Sequence, residues 1–349
     1  SLLEKLEAIP GAKVEKVEAT EPFTEAYKVM IEQPVDHKNP DGPKFHQRVW
    51  VSHKAYGAPT VMETDGYALA RNRTLELSNI LKANQIQVEH RYFGESVPEE
   101  KDYQYLMLEQ AANDLHNIYT IFKEIYPKQW VSSGISKGGQ TTLVYKRFFP
   151  EDMDASVPYV APFANALEDK RCDEFINAQG TPEIRQQIID FQRAVLSRKN
   201  EILPELRKIA AEKKYSFSIG EEVALEYAVA EYPFSFWQWG NVKVEDIPAP
   251  DATADEMIKH LDSAVSLYYY NDSGIKYLEP HFWMAIREYG YYGYDTSNIK
   301  DLVTAKPNLN NVDFAPGDPE YDPSVRDSVL EFLAEKGNKV AYIYGELDT

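Results

Sequence analysis

The sequence predicts an α/β fold with a mainly parallel sheet, interrupted by a large and mostly helical insertion. Three observations carry this reading. Around Gly134-Ile135-Ser136-Lys137-Gly138 the pattern runs strand, sharp turn, helix. From residue 26 to residue 160 strand-like and helix-like periodicities alternate, as they do when parallel strands are joined by crossover helices. After about residue 165 the pattern becomes helical, and a strand-like run returns only at 339–344.

The elements follow in order. Residues 26–33, 46–53 and 59–64 cluster Tyr27, Val29, Ile31, Val49, Val51 and Val61 as strands do, with turn material from Pro34 to Pro43. A helix is expected over 73–83 and a strand over 85–89. Leu108, Ala112, Leu115, Tyr119, Phe122 and Ile125 recur at helical spacing, which predicts a long amphipathic helix over 106–126. A short buried strand at 128–133 then leads into the turn, and 140–149 is the helix after it. Residues 156–160 form another strand, closed by Ala161-Pro162. Residues 182–230 read as successive helices with a break near 214–220, and 255–270 as one more. The segment 272–323 reads as loop, and 324–336 as a helix. The expected organisation is a first core part over 1–164, a helical cap over 165–323 and a second core part over 324–349.

Gly-x-Ser-x-Gly in a strand–turn–helix context is the nucleophile elbow of an α/β-hydrolase. The turn strains the serine, and a Cβ at either glycine would clash. Ser136 is therefore the expected nucleophile. It needs a base to take its proton and an acid to orient that base. In this fold the acid and then the histidine follow the serine along the chain. The acid is expected just after the 339–344 strand, at Asp348, with Glu346 the weaker choice. All seven histidines (His37, His46, His53, His90, His116, His260, His281) precede Asp348, so none stands in the expected place. The expectation is that the sequence stops short of the histidine loop, and that this chain alone is nearly inactive. The oxyanion hole is expected from the N–H of Lys137 and from the loop at Gly66 and Tyr67. The Lys137 side chain is read as pointing to solvent or the cap, and Arg91 with Glu95 as a buried structural ion pair.

Composition narrows the function. The formal charge is −19 over 349 residues, which argues against nucleic acid and anionic membranes as partners. It favours cationic ligands, including the amino terminus of a peptide. No apolar run approaches the ~18 residues of a membrane span. The single cysteine, Cys172, allows no intrachain disulfide. No His-x-x-x-His or similar ligand cluster points to a metal, and no cofactor is expected.

Three stretches together carry a resemblance. They are Val88-Glu89-His90-Arg91-Tyr92-Phe93-Gly94-Glu95-Ser96, Gly134-Ile135-Ser136-Lys137-Gly138-Gly139-Gln140-Thr141 and Val157-Pro158-Tyr159-Val160-Ala161-Pro162. The chain resembles the bacterial secreted prolyl tri- and tetrapeptidyl aminopeptidases, and its first stretch also resembles the Pro-Xaa carboxypeptidases and dipeptidyl peptidases II. The resemblance implies a capped serine peptidase without metal or cofactor. It implies cleavage of short peptides from a free amino terminus, often after proline, in the periplasm or outside the cell. Such an enzyme must hold an ammonium, and Glu231 is the expected anchor, with Trp237 and Trp239 lining a proline pocket. Two other readings remain at this stage: an esterase or lipase on the same fold, and a non-catalytic peptide-binding protein.

Overall fold

The computed structural model describes residues 1–346. Seven strands form one mixed sheet: β1 (Lys13–Val17), β2 (Glu25–Pro34), β3 (Lys44–His53), β4 (Thr60–Thr64), β5 (Asn84–Val88), β6 (Trp130–Ile135) and β7 (Ala155–Tyr159). Their order across the sheet is β1-β2-β3-β5-β4-β6-β7. The β1–β2, β2–β3 and β3–β5 pairs are antiparallel, and the β5–β4, β4–β6 and β6–β7 pairs are parallel. Beyond β7, residues 340–343 run parallel to it, with Ala341 N–H donating to Ser156 O and Ile343 N–H to Pro158 O at 2.9 and 3.0 Å. The crossover in which β5 precedes β4 in space, strands of alternating direction before it and parallel strands after it give the sheet of an α/β-hydrolase.

The hairpin read from 26–53 forms in full register, Glu25 opposite His53 and Pro34 opposite Lys44, and the Val35 N–H to Pro43 O bond closes its loop. Strands β4 and β5 are buried along their whole length, as interior strands covered on both faces must be. Helices α1 (Leu2–Glu7), α2 (Glu76–Leu81), α3 (Leu108–Lys123) and α4 (Lys137–Phe148) accompany the sheet. Leu115, Ile118 and Phe122 of α3, and Leu2 and Leu6 of α1, share one core with Tyr27, Val29, Val49, Met62 and Ile86.

The chain divides into two units. The first takes Ser1–Phe163, the short segment Trp283–Tyr289 and the residues from Glu320 onward; the second takes Ala164–Phe282 and Gly290–Pro319. The second unit holds α5 (Lys170–Ala178), α6 (Pro182–Ser197), α7 (Lys199–Lys213), α8 (Glu221–Trp239), α9 (Ala254–Val265) and most of α10 (Asp272–Met284). Its own core joins Phe191 and Val195 of α6, Leu206 of α7, Leu225, Ala228 and Tyr232 of α8 and Leu261 of α9. Helix α11 (Ser324–Lys336) follows in the first unit. Among the described residues no helix is long and apolar enough to cross a membrane.

Four elements differ from the sequence reading. Strand β1 and helix α1 lie ahead of the first expected strand. The segment 272–284, read as loop, is helix α10: Asn271 Oδ1 accepts from the N–H groups of Ser273 and Gly274 at its start, and Pro280 is carried inside it. The expected helix at 73–83 shortens to α2.

Candidate active site

The β6–α4 turn is built by steric exclusion. Ser136 sits at φ 55°, ψ −122°, a left-handed conformation costly for any residue with a Cβ. Its N–H donates to Tyr159 O at 2.9 Å and its carbonyl accepts from Gln140 N–H at 3.0 Å, so neighbouring strand and following helix hold it from both sides. The flanking glycines are there for space. A Cβ on Gly134 would overlap the Gly138 carbonyl, and one on Gly138 would stand 2.6 Å from Thr64 O. Thr64 Oγ1, at the end of β4, donates toward Gly138 O at 2.9 Å and lies 2.6 Å from Thr142 Oγ1. Strand β4 is thus tied to the elbow, and Ser136 itself is exposed.

The N–H of Lys137 opens α4, where a helix leaves its own donors unpaired and its dipole favours negative charge. Opposite it lies the 65–67 loop. A Cβ on Gly66 would stand 2.7 Å from Lys137 Cβ and 2.8 Å from Gly138 N, so this loop is pressed directly onto the first turn of α4. The Tyr67 N–H donates to Asp65 Oδ1 at 2.8 Å. Burial and the neighbouring Glu63 push the Asp65 carboxyl up to about 6.

The Lys137 side chain departs from the sequence reading. It is buried rather than directed to solvent, and its Nζ donates to Gly66 O at 2.8 Å. The Tyr67 and Phe93 rings each lie 5.5 Å from that nitrogen. Burial brings the amine down to about 7, with Asp65 opposing the shift.

Arg91 and Glu95 are not partners. Arg91 is fully buried and bonds Asp114 of α3, Nε to Oδ2 at 2.6 Å and Nη2 to Oδ1 at 2.8 Å. Glu95 is half exposed and pairs with Lys28 at 2.7 Å. The buried carboxylate of that stretch is Glu89, which accepts from the N–H groups of Leu69 and Glu95 and from Ser96 Oγ, and pairs with Arg48 at 3.1 Å. The motif 88–96 therefore shapes the backbone behind the elbow.

The histidines of the first unit are engaged as follows. His37 bonds Asp114 at 2.7 Å, His46 the Gly11 carbonyl at 3.2 Å, His53 the Tyr126 hydroxyl at 3.0 Å and His116 Asp152 at 2.7 Å. His90 Nδ1 contacts its neighbour's carbonyl, Arg91 O, at 2.8 Å. In the second unit His260 bonds the Tyr232 hydroxyl at 2.8 Å, and His281 packs its ring on Tyr291 and Phe282. The expected acid Asp348 lies outside the described residues; Glu346 is exposed at the last described turn.

In the second unit Glu231 is buried in α8. The Tyr292 hydroxyl donates to both its oxygens at 3.1 Å, and Ser235 Oγ to Oε1 at 3.1 Å. Phe234 stacks on Tyr292 with ring centroids 4.1 Å apart. Burial pushes the Glu231 carboxyl up to about 7, while the hydroxyl donors pull it back. Among the described residues no lysine, arginine or histidine pairs with it. Trp237, on the same helix, packs edge-on against Phe236, whereas Trp239 is largely exposed. The structure thus joins Glu231 to tyrosines more closely than to the two tryptophans. Their phenols were visible in the sequence only as a tyrosine-rich stretch. Among the described residues no cluster of His, Cys, Asp and Glu could hold a metal ion.

Over residues 2–349 the chain matches the family described as PS-10 peptidase S37. It is 32% identical to the prolyl tri/tetrapeptidyl aminopeptidase of Streptomyces mobaraensis, covering 97% of this chain and 72% of that protein. It is 27% identical to a serine protease of Bipolaris victoriae, over 44% of this chain and 33% of that one. Among solved structures, a thermophilic carboxylesterase cloned from a metagenomic library aligns with TM-score 0.32 and 22% identity, over 47% of this chain and 56% of that one.

Proposed function

The chain belongs to the PS-10 peptidase S37 family, and from that premise we propose that it is a serine exopeptidase releasing short, proline-preferring fragments, tripeptides above all, from peptide amino termini. Ser136 Oγ attacks the scissile carbonyl as a base takes its proton. The developing oxyanion is met by the N–H of Lys137 and by the 65–67 loop. The proton passes to the leaving amine, the acyl-enzyme forms on Ser136, and water then releases the amino-terminal fragment. Asp348 orients the base in this reading. None of the seven histidines of this chain is assigned as that base. No metal or cofactor takes part, and the proposal includes a site of action outside the cytoplasm.

One observation carries the aminopeptidase part. Among the described residues, Glu231 is a buried carboxylate supplied with hydroxyl donors and no cation. That arrangement leaves the group short of the positive partner that buried carboxylates usually have. A peptide α-ammonium supplies one, and the Phe234 and Tyr292 faces beside it suit a proline ring or other apolar side chain.

The test is hydrolysis of Xaa-Xaa-Pro reporters by the full natural chain, with the amino terminus free or acetylated. Cleavage of the free form alone is expected. Equal cleavage of both forms would refute the ammonium anchor. Glu231→Gln should raise KM for free-amino substrates by roughly 10- to 100-fold, the worth of a hydrogen bond to a charged group, and change kcat less. The pH dependence follows in sign. The carboxyl is raised to about 7, so its anionic, binding form gains population as pH rises through that value. A peptide α-amino group loses its charge near 7.7–8.0. KM is therefore expected to be lowest between about 7 and 8 and to rise on both sides.

A further inference from the structure

The mechanism above uses the backbone of Lys137 and leaves its side chain without a task. A lysine ammonium is rarely buried, and this one stands beside the nucleophile with the Gly66 carbonyl as its hydrogen-bond acceptor. The Gly66 carbonyl and the Tyr67 N–H are the two ends of one rigid peptide plane. The carbonyl end is held by Lys137 Nζ at 2.8 Å, and the N–H end by Asp65 Oδ1 at 2.8 Å. Asp65 is held in turn, since Arg73 reaches it at 3.4 Å and Glu63 at 2.6 Å. The same plane starts from Gly66, whose Cα lies against the first turn of α4. A peptide with both ends tethered cannot rotate.

We propose that Lys137 is a positioning residue for acyl transfer: its side-chain amine pins the Gly66–Tyr67 peptide against the first turn of α4, and Asp65 is the second tether, so the loop and the Lys137 N–H beside Ser136 are fixed before substrate arrives. The inference rests on the serine-hydrolase reading of Ser136. The Tyr67 N–H is spent on Asp65, so what the tethers hold toward the serine is the first turn of α4 with its Lys137 N–H; a donor aimed beforehand at a developing charge stabilises the transition state more than the bound substrate. Loss of a tether is then felt in kcat and little in KM. The amine donates this bond in either protonation state, so the tether holds on both sides of its lowered titration near 7. The Tyr67 and Phe93 rings, each 5.5 Å away, flank the amine in its buried position.

The experiment compares wild type, Lys137→Met and Lys137→Ala in the full natural chain. It reads kcat and KM on a peptide reporter, affinity for a peptide boronate that forms a tetrahedral adduct on the serine, and affinity for the matching carboxamide that cannot. Lys137→Met should lower kcat by roughly 10- to 100-fold, with KM within about threefold. Boronate affinity should fall in parallel while carboxamide affinity holds. Added propylamine should restore part of the activity of Lys137→Ala, by filling the vacated space with an amine. Full kcat and boronate affinity in Lys137→Met would overturn the proposal, whatever happens to the melting temperature. Equal losses of boronate and carboxamide affinity, with no rescue by amine, would also overturn it, as a structural effect. If Lys137→Met does not fold, Asp65→Ala is read in the same way: a loss confined to kcat and boronate affinity supports the tether, and unchanged values overturn it. A wild-type protein that neither turns over reporters nor binds the boronate would instead refute the serine-hydrolase reading itself, and the proposal with it.

Discussion

Ser136→Ala should abolish turnover, by on the order of 10⁴- to 10⁶-fold, in the full natural chain. On the proposed mechanism the nucleophile cannot be replaced by oxyanion donors, which leave only a residual advantage over water. Stability should move little, because alanine keeps the strained backbone at φ 55° and the bonds of Ser136 to Tyr159 and Gln140 are made by the main chain. Ser136→Gly gives a contrast. It is equally inactive, but it relieves a left-handed conformation, and a gain of about 1 kcal/mol is expected from the strain released. Labelling by a fluorophosphonate, with thermal melting of the three proteins side by side, separates the two effects. Labelling of Ser136→Ala at the wild-type rate would mean that the reactive serine is elsewhere.

The largest stability loss is expected from Arg91→Met. The guanidinium is wholly buried, and besides Asp114 it bonds the carbonyls of Val35 at 3.0 Å and Tyr105 at 2.6 Å. Removing it strands the Asp114 carboxylate, 1% exposed, with the His37 ring at 2.7 Å as its remaining side-chain hydrogen-bond partner. Breaking one partner of such a pair costs about 3–5 kcal/mol, because the other charge stays buried and uncompensated. The fall in melting temperature should be about 10 °C for a unit of this size. Replacing both partners, Arg91→Met with Asp114→Leu, should recover part of the loss. Urea unfolding of the single and double variants decides this. A double variant less stable than the sum of the single changes would contradict an uncompensated charge as the cause.

What the sequence revealed follows the range of the forces involved. The elbow was legible because its signal is local: Gly134, Ser136 and Gly138 fall within five residues, although a Cβ on Gly138 would meet Thr64 on the neighbouring strand. The β2–β3 hairpin was legible because its alternation and its Pro34–Pro43 turn lie in one stretch. Arg91 was misassigned to Glu95, four residues away, because a charge shows no direction in a sequence; its partner Asp114 lies on another element, 23 residues on. Helix α10 was hidden by Gly274 and Pro280, which propensity counts against a helix and which the surrounding packing overrides. The grip of Lys137 on Gly66 spans 71 residues, and no local pattern announces it. The surroundings of Glu231 were half legible. Aromatic richness marked the neighbourhood, but the choice of Tyr292 and Ser235 as donors depends on how α8 meets the chain 61 residues later.

The short return of the chain at Trp283–Tyr289 also has a consequence for biosynthesis. Glu288 Oε2, buried in that segment, accepts the Leu108 N–H at the first residue of α3, at 2.7 Å and 180 positions upstream. A ribosome adding roughly 5–20 residues per second makes the helix on the order of ten to forty seconds before the carboxylate that terminates it exists. For that interval the emerging polypeptide holds α3 with its leading amide uncapped, and the helical insertion must be threaded out before the gap closes. Ribosome-bound chains halted before residue 288 should therefore be cut near Leu108 by protease, and chains halted some forty residues beyond it should resist. Equal resistance at both arrest points would show that this late contact is dispensable to the nascent fold.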